Sequence, residues 1–200
     1  MKLRKFFIVI LIFLMISGVY AEKSASFNNQ VITISKQALL QYLKYGDISR
    51  GLINQTPTAI KTEKNQGVFV TFTKDGVVRG CMGTVFPKSA ALKEEIIKST
   101  ILAASADTRY PRITMEEYPF IKYHISLVKN VKYVGTGRGL SVQNPKKFGL
   151  LVISGKRGGV LLPGEAKTAE WQVYECKRKA GIKQTAPVVM YVFETDVIGD

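Results

Sequence analysis

The chain has 200 residues, 46% of them hydrophobic, with 29 Lys and Arg against 15 Asp and Glu for a formal charge of +14. A single domain of this size buries about 70% of its unfolded surface and needs no disulfide to hold a core. One histidine and two distant cysteines give no ligand-pair spacing, so neither a metal site nor a cofactor is expected.

Lys2, Arg4 and Lys5 form a basic start, Phe6 to Ile16 an apolar run of 11 residues, and Val19-Tyr20-Ala21 a small-residue cleavage site. The run is well short of the ~18–20 residues that span a bilayer, although an uncleaved anchor is the alternative. Residues 1–21 therefore read as a signal peptide cleaved after Ala21, and residues 22–200 as one exported domain, periplasmic or secreted. No cysteine follows the run, which argues against a lipid anchor. Loss of Lys2, Arg4 and Lys5 leaves a charge of +11, a balance that suits acidic partners or an envelope surface. The cations are scattered, however. Lys177-Arg178-Lys179 and Lys156-Arg157 are the tightest clusters and carry no interleaved aromatics, so a solvated surface is expected rather than a nucleic-acid footprint. Nothing in the sequence specifies an oligomeric state.

Val31-Ile32-Thr33-Ile34 reads as a strand, and Ser35 as the cap of a helix carrying Leu39, Leu40 and Leu43 that stops at Gly46. A loop with Pro57 is expected over residues 51–66. Residues 67–73, the turn Asp75-Gly76 and the segment from Val77 onward predict a hairpin whose turn tolerates positive φ. Ser89 is placed to cap a helix running to about Ala106, with Leu92, Ile96, Ile97, Ile101 and Leu102 inward. Thr114-Met115-Glu116-Glu117 has capping-box spacing and predicts a short helix ended by Pro119. Residues 120–128 alternate as a strand. Residues 148–154 and 159–162 predict a second hairpin across residues 155–158. Thr168 to Ala180 reads as a helix closed by Gly181, and residues 188–197 as a final strand. Helices and strands mix without a strict βαβ repeat, which predicts α+β or irregular α/β architecture.

The densest chemistry lies in Arg79-Gly80-Cys81-Met82-Gly83. Flanking glycines allow close approach, and a nearby cation favours a thiolate, which makes Cys81 the leading catalytic candidate. With a two-residue turn, Thr73 faces Val78 and Val70 faces Cys81. Alternation then sets Val77, Arg79, Cys81, Gly83 and Val85 on the apolar face of Val68, Val70 and Phe72. A bulge at Gly80 would flip that assignment. Burial raises a thiol pKa while Arg79 would lower it, so a buried structural cysteine and a reactive one both remain open. His124 falls on the polar side of its strand, opposite Ile121, Tyr123, Ile125 and Leu127, and reads as solvated; a Cys81–His124 dyad is conceivable from spatial proximity alone. Asp107-Thr108-Arg109-Tyr110-Pro111 offers either an Asp–Arg pair organising the helix exit or an arginine fork for a carboxylate or phosphate. Gly135-x-Gly137-x-Gly139 precedes no helix and reads as a flexible loop, not a dinucleotide site. Cys176 shares a helical stripe with Ala169, Val173 and Ala180 and reads as a buried small hydrophobe rather than the partner of a Cys81–Cys176 bridge.

Residues 67–71 running into Arg79-Gly80-Cys81-Met82-Gly83-Thr84 resemble the AMMECR domain family, named for a human contiguous-gene syndrome and also called system protein A of the Memo/radical-SAM gene set. Asp107 to Pro111 resembles the family's Asp-Pro-Arg-Phe segment, and Ile125-Ser126-Leu127 its Val-Ser-Val-Leu strand. Gly159-Val160-Leu161-Leu162-Pro163 and Lys179-Ala180-Gly181-Ile182 resemble its Gly-Leu-Leu-Pro and Lys-Ala-Gly-Leu segments. The resemblance spans roughly residues 31–197. It implies a two-lobed α/β domain with a central mixed sheet flanked by helices, and it moves Cys81 toward function. Two departures concern residues: Gly164-Glu165 stands where the family has Gln-Val, and His124 where an acidic residue is common. The signal sequence departs from generally intracellular relatives. Two functional readings follow. In one, Cys81 is a nucleophile or thiol carrier toward a small anionic or peptide substrate, Arg79 stabilises its thiolate, and Gly80, Gly83, Asp107, Arg109 and Tyr110 contribute to the binding site. In the other, the chain is a non-catalytic binding or regulatory module whose basic surface meets an acidic partner.

Overall fold

The computed structural model describes residues 2–46, 65–137 and 144–200, with side chains from residue 24 onward. The loop expected over residues 51–66 lies almost wholly outside the described residues, as does Gly139. The first helix, α1 (Lys2–Tyr45), ends at Gly46, whose φ of 74° lies in the left-handed region. The segment read as a strand, residues 31–34, is part of this helix. Val31, Ile34, Ser35, Ala38 and Leu39 are all buried, and their spacing is i, i+3, i+4, i+7, i+8. That helical stripe overrides the local preference of β-branched residues. Ser35 is consequently mid-helix, where its hydroxyl pairs with Thr100 Oγ1 at 2.8 Å.

A hairpin follows, β1 (Val68–Lys74) and β2 (Val77–Gly83), turning through Asp75 and Gly76 at φ 51° and 77°. Next come α2 (Leu92–Ser105), a 3-10 turn (Tyr118–Phe120), β3 (Lys122–Gly137), β4 (Gly149–Ser154), β5 (Arg157–Leu161), α3 (Ala169–Lys179) and β6 (Val188–Gly199). The six strands run β2-β1-β3-β6-β4-β5. The central sheet and flanking helices are as expected, but every pairing is antiparallel rather than mixed.

Several boundaries differ for identifiable reasons. Ala91, not Ser89, occupies the α2 N-cap without a side-chain bond; the buried Glu95 carboxylate instead reaches back to the N–H groups of Lys88 and Ser89. Leu102 is exposed rather than inward. Glu117 does accept from the Thr114 N–H, but the helical turn begins only at Tyr118 and includes Pro119, which an initial turn accommodates. The second hairpin turns on Gly155-Lys156 alone, and Gly135 and Gly137 lie within β3, opposite Met190 and Val188, instead of in a loop. The α3 prediction holds: Thr168 caps it by accepting from the Trp171 N–H, and Gly181 closes it at φ 63°.

The three α-helices of the described residues cover one face of the sheet as two lobes. In the first, α1 and α2 pack on Val68, Val70, Phe72, Ile125 and Leu127. In the second, α3 packs on Leu150, Val152, Met190 and Val192, with Cys176 at 0% exposure among them. On the other face the sheet curls onto itself, closing Phe69, Val85, Val128, Leu151 and Phe193 into an inner core. The rings of Phe69 and Phe193 stack there at 6.3 Å. Each such fully buried aromatic contributes about 1.5–3 kcal/mol of apolar burial. The curl brings the edge strands β2 and β5 to opposite banks of one open seam.

Candidate functional site

The hairpin register decides what Cys81 faces. Thr73 pairs with Val78, as expected for the two-residue turn, but the next pairs are Phe72 with Gly80 and Thr71 with Cys81. Arg79 is therefore the extra residue of a bulge, and every side chain beyond it changes face. Gly80 turns toward α2, where a Cβ would lie 2.1 Å from the Ala103 carbonyl oxygen. Cys81 turns away from the helices and onto the inner face. The apolar company of Val70 and Phe72 expected from simple alternation is thereby replaced by Thr71.

Thr71 and Cys81 sit opposite each other, and the Thr71 hydroxyl donates to Cys81 Sγ at 3.0 Å. The Cys81 backbone points outward from the sheet edge. Its N–H donates to Asp107 Oδ2 at 2.9 Å, and its carbonyl accepts from Arg109 Nη2 at 3.0 Å. Asp107 in turn accepts from Arg109 Nε at 2.8 Å and Nη2 at 2.7 Å. The residues just after α2 thus close over the unpaired edge of β2 at the cysteine, satisfying groups that would otherwise offer an open strand edge. Burial alone would raise the Asp107 carboxyl, but the bonds from Arg109 and from the Cys81 N–H hold it below the usual carboxylate range. The bond to Asp107 likewise raises Arg109 above its ordinary value.

A cleft of about 480 Å³ opens beside this arrangement. Phe69, Cys81, Met82, Gly83 and residues 106–109 form one bank. Val160, Leu162, Glu165, Arg178 and Lys179 form the other. Burial pushes the Cys81 thiol up; the Thr71 hydroxyl and Arg109 pull it down, while Glu165 and Asp107 add to the rise. The net direction is upward, so the thiol carries its proton at neutral pH.

Of the residues singled out from sequence, Cys81, Gly83, Asp107 and Arg109 meet at the cleft. Arg79 does not. Its guanidinium makes a two-pronged pair with Glu117, Nε to Oε1 and Nη2 to Oε2 each at 2.9 Å, and so cannot serve as the thiolate's cation. Arg109 holds that position. Gly80 lies on the helix side and is required for packing instead of ligand contact. Tyr110 lies under the Arg109 guanidinium at 5.4 Å and is outside the cleft lining. His124 lies on the expected polar side, but β1 stands between it and Cys81, and its Nε2 meets Thr73 Oγ1 at 3.2 Å. Cys81 and Cys176 are both free thiols. Cys176 is pushed up to about 12 by burial and donates to the Leu150 carbonyl. Sequence reasoning missed Thr71, which only the bulge brings to the thiol. It also assigned no role to Phe69 or Val160, whose inward orientation depends on the curl of the whole sheet.

A family model described as AMMECR1 matches residues 32–198. A Thermotoga maritima protein is 34% identical over 146 residues, covering 72% of this chain and 81% of the relative. A Methanopyrus kandleri protein is 30% identical over 191 residues, covering 84% and 85%. A Clostridium acetobutylicum protein is 31% identical over 156 residues, but the chain spans only 32% of that relative's length. Among solved structures, an uncharacterized protein from Pyrococcus horikoshii shares the fold with a TM-score of 0.66 at 24% identity, over 86% of this chain and 90% of that one.

Proposed function

The chain belongs to the AMMECR1 family, and from that premise we propose that it is a binding module whose receptor site is the cleft between β2 and β5. The observation that carries this reading is the placement of Cys81: its thiol opens onto the cleft, is pushed up by burial, and accepts a hydrogen bond from Thr71, with no general base in contact among the described residues. A nucleophilic cysteine needs an adjacent base or a lowered pKa. The second reading, a cysteine-dependent enzyme or component of a modification system acting on a small anionic or peptide substrate, draws on the same placement of the thiol beside Arg109. The two readings part at the thiol's titration. The binding module predicts slow alkylation of Cys81 at neutral pH, with a midpoint above the ordinary thiol value of ~8.5. The enzyme predicts a midpoint below it.

We also propose export, with cleavage after Ala21, supported by the basic start, the 11-residue apolar run and the small-residue site. The α1 residues buried in the core, Val31 to Leu39, all follow that point and would be retained. The expected result is a mature N-terminus at Glu22 by intact mass of protein recovered from its native cells; a chain beginning at Met1 would contradict export by cleavage. The excess of positive charge supports an acidic partner or envelope surface as the neighbour of such a module.

A further inference from the structure

The two banks of the cleft differ in the charge they offer. Arg109 projects from the residues after α2, half-exposed, with Nε and Nη2 committed to Asp107 and the Cys81 carbonyl. Its Nη1 group has no hydrogen-bond partner among the described residues. Glu165 projects from the turn between β5 and α3, with Oε2 accepting from the Leu162 N–H at 2.8 Å and only a loose contact to Lys179 at 3.9 Å. Two further cations, Arg178 and Lys179, line the same bank, and Arg178 is held by Glu175 at 2.6 and 2.7 Å. Arg109 and Arg178 are thus each closed by a carboxylate, whereas Lys179 has only that loose contact and leaves Glu165 open to a ligand. Between the charged banks the surface is apolar, from Phe69, Met82, Val160 and Leu162.

Granted that the cleft is a ligand site, as proposed above, we infer that it selects zwitterions with an apolar body, the carboxylate on Arg109 and the ammonium on Glu165. A short unblocked peptide and a free apolar amino acid share that chemistry. The volume of about 480 Å³ leaves room for more than one residue. Glu165 is then the specificity-determining residue of this chain.

The test is calorimetric titration of the full chain with leucyl-phenylalanine, its N-acetyl derivative, its C-terminal amide, and free phenylalanine. Blocking either end is expected to weaken binding about tenfold, the usual scale of one lost charge-assisted hydrogen bond. Glu165→Gln keeps an acceptor for the Leu162 N–H, so the turn holds. It should reduce the cost of N-acetylation to less than about twofold while leaving the cost of amidation intact. Free phenylalanine binding as tightly as the dipeptide would also support the inference and assign the site to amino acids. N-acetyl dipeptide binding as tightly as its parent would overturn the inference and leave the binding module standing. Failure of all four probes to bind would overturn it as well, and the Cys81 titration would then judge the module separately.

Discussion

Asp107→Ala is expected to destabilise the protein by about 2–3 kcal/mol at neutral pH. The carboxylate is nearly buried and accepts from the Cys81 N–H and from Arg109. Its removal leaves two backbone donors without this acceptor, the N–H groups of Cys81 and Arg109, and an unsatisfied buried donor costs about 1–3 kcal/mol. It also leaves the Arg109 guanidinium unpaired, a smaller cost because that group is 45% exposed and water can replace part of the interaction. Asp107→Asn retains an acceptor for the Cys81 N–H and should lose less. The pH dependence has a defined sign. The folded-state pKa of Asp107 is depressed, so its contribution is complete above the unfolded value of ~3.9 and is lost as pH falls through the folded value. The stability gap between wild type and Asp107→Asn should therefore be constant above about pH 5 and narrow in more acidic solution. Urea unfolding at several pH values checks both points. A gap of less than about 0.5 kcal/mol for the alanine variant would reduce the pair to an ordinary surface contact.

Gly80→Ala should be more damaging still, costing about 3 kcal/mol or more. The added methyl would sit 2.1 Å from the Ala103 carbonyl oxygen. Backbone on one side and a sheet edge on the other leave nothing flexible to yield, so α2 must lift or the bulge must move. Overpacking of this kind lies at or beyond the upper end of its usual 1–3 kcal/mol range. Gly76→Ala is the useful comparison. That site has nothing within 4 Å and a φ of 77°, so only the left-handed backbone is penalised, at about 1–2 kcal/mol. Thermal unfolding of the two variants should separate them clearly. Equal losses would mean that α2 yields to the added methyl at little cost and that the close contact at Gly80 is not a strong constraint.

Gly80 and its bulge also mark how far local sequence determines this fold. Elements with a strong period or an unambiguous stop, such as α3 with Thr168 and Gly181 or the Asp75-Gly76 turn, were legible because their determinants are local. Residues 31–34 were not. β-branched residues look like a strand until the buried stripe they share with Ala38 and Leu39 is seen to be helical. The candidate site divides in the same way. Cys81, Asp107 and Arg109 stood out as residue types in unusual company. Their relationship depends on one bulged residue, Arg79, and on which face that bulge gives to the thiol. Simple alternation sends Cys81 into the helix-side core and leaves Arg79 as its cation. The bulge sends it to the cleft, gives it Thr71, and releases Arg79 to Glu117. The second bank of the cleft comes from β5, the other edge of the sheet, and no local pattern specifies that approach.

The most direct measurement is the alkylation rate of Cys81 as a function of pH in the native, reduced protein, read by peptide mass with Cys176 as the internal reference. The binding module predicts that Cys81 labels slowly at neutral pH, with a midpoint above ~8.5, while Cys176 labels only after unfolding. Rapid labelling of Cys81 with a midpoint clearly below ~8.5 would contradict that account and establish an activated thiolate in the cleft.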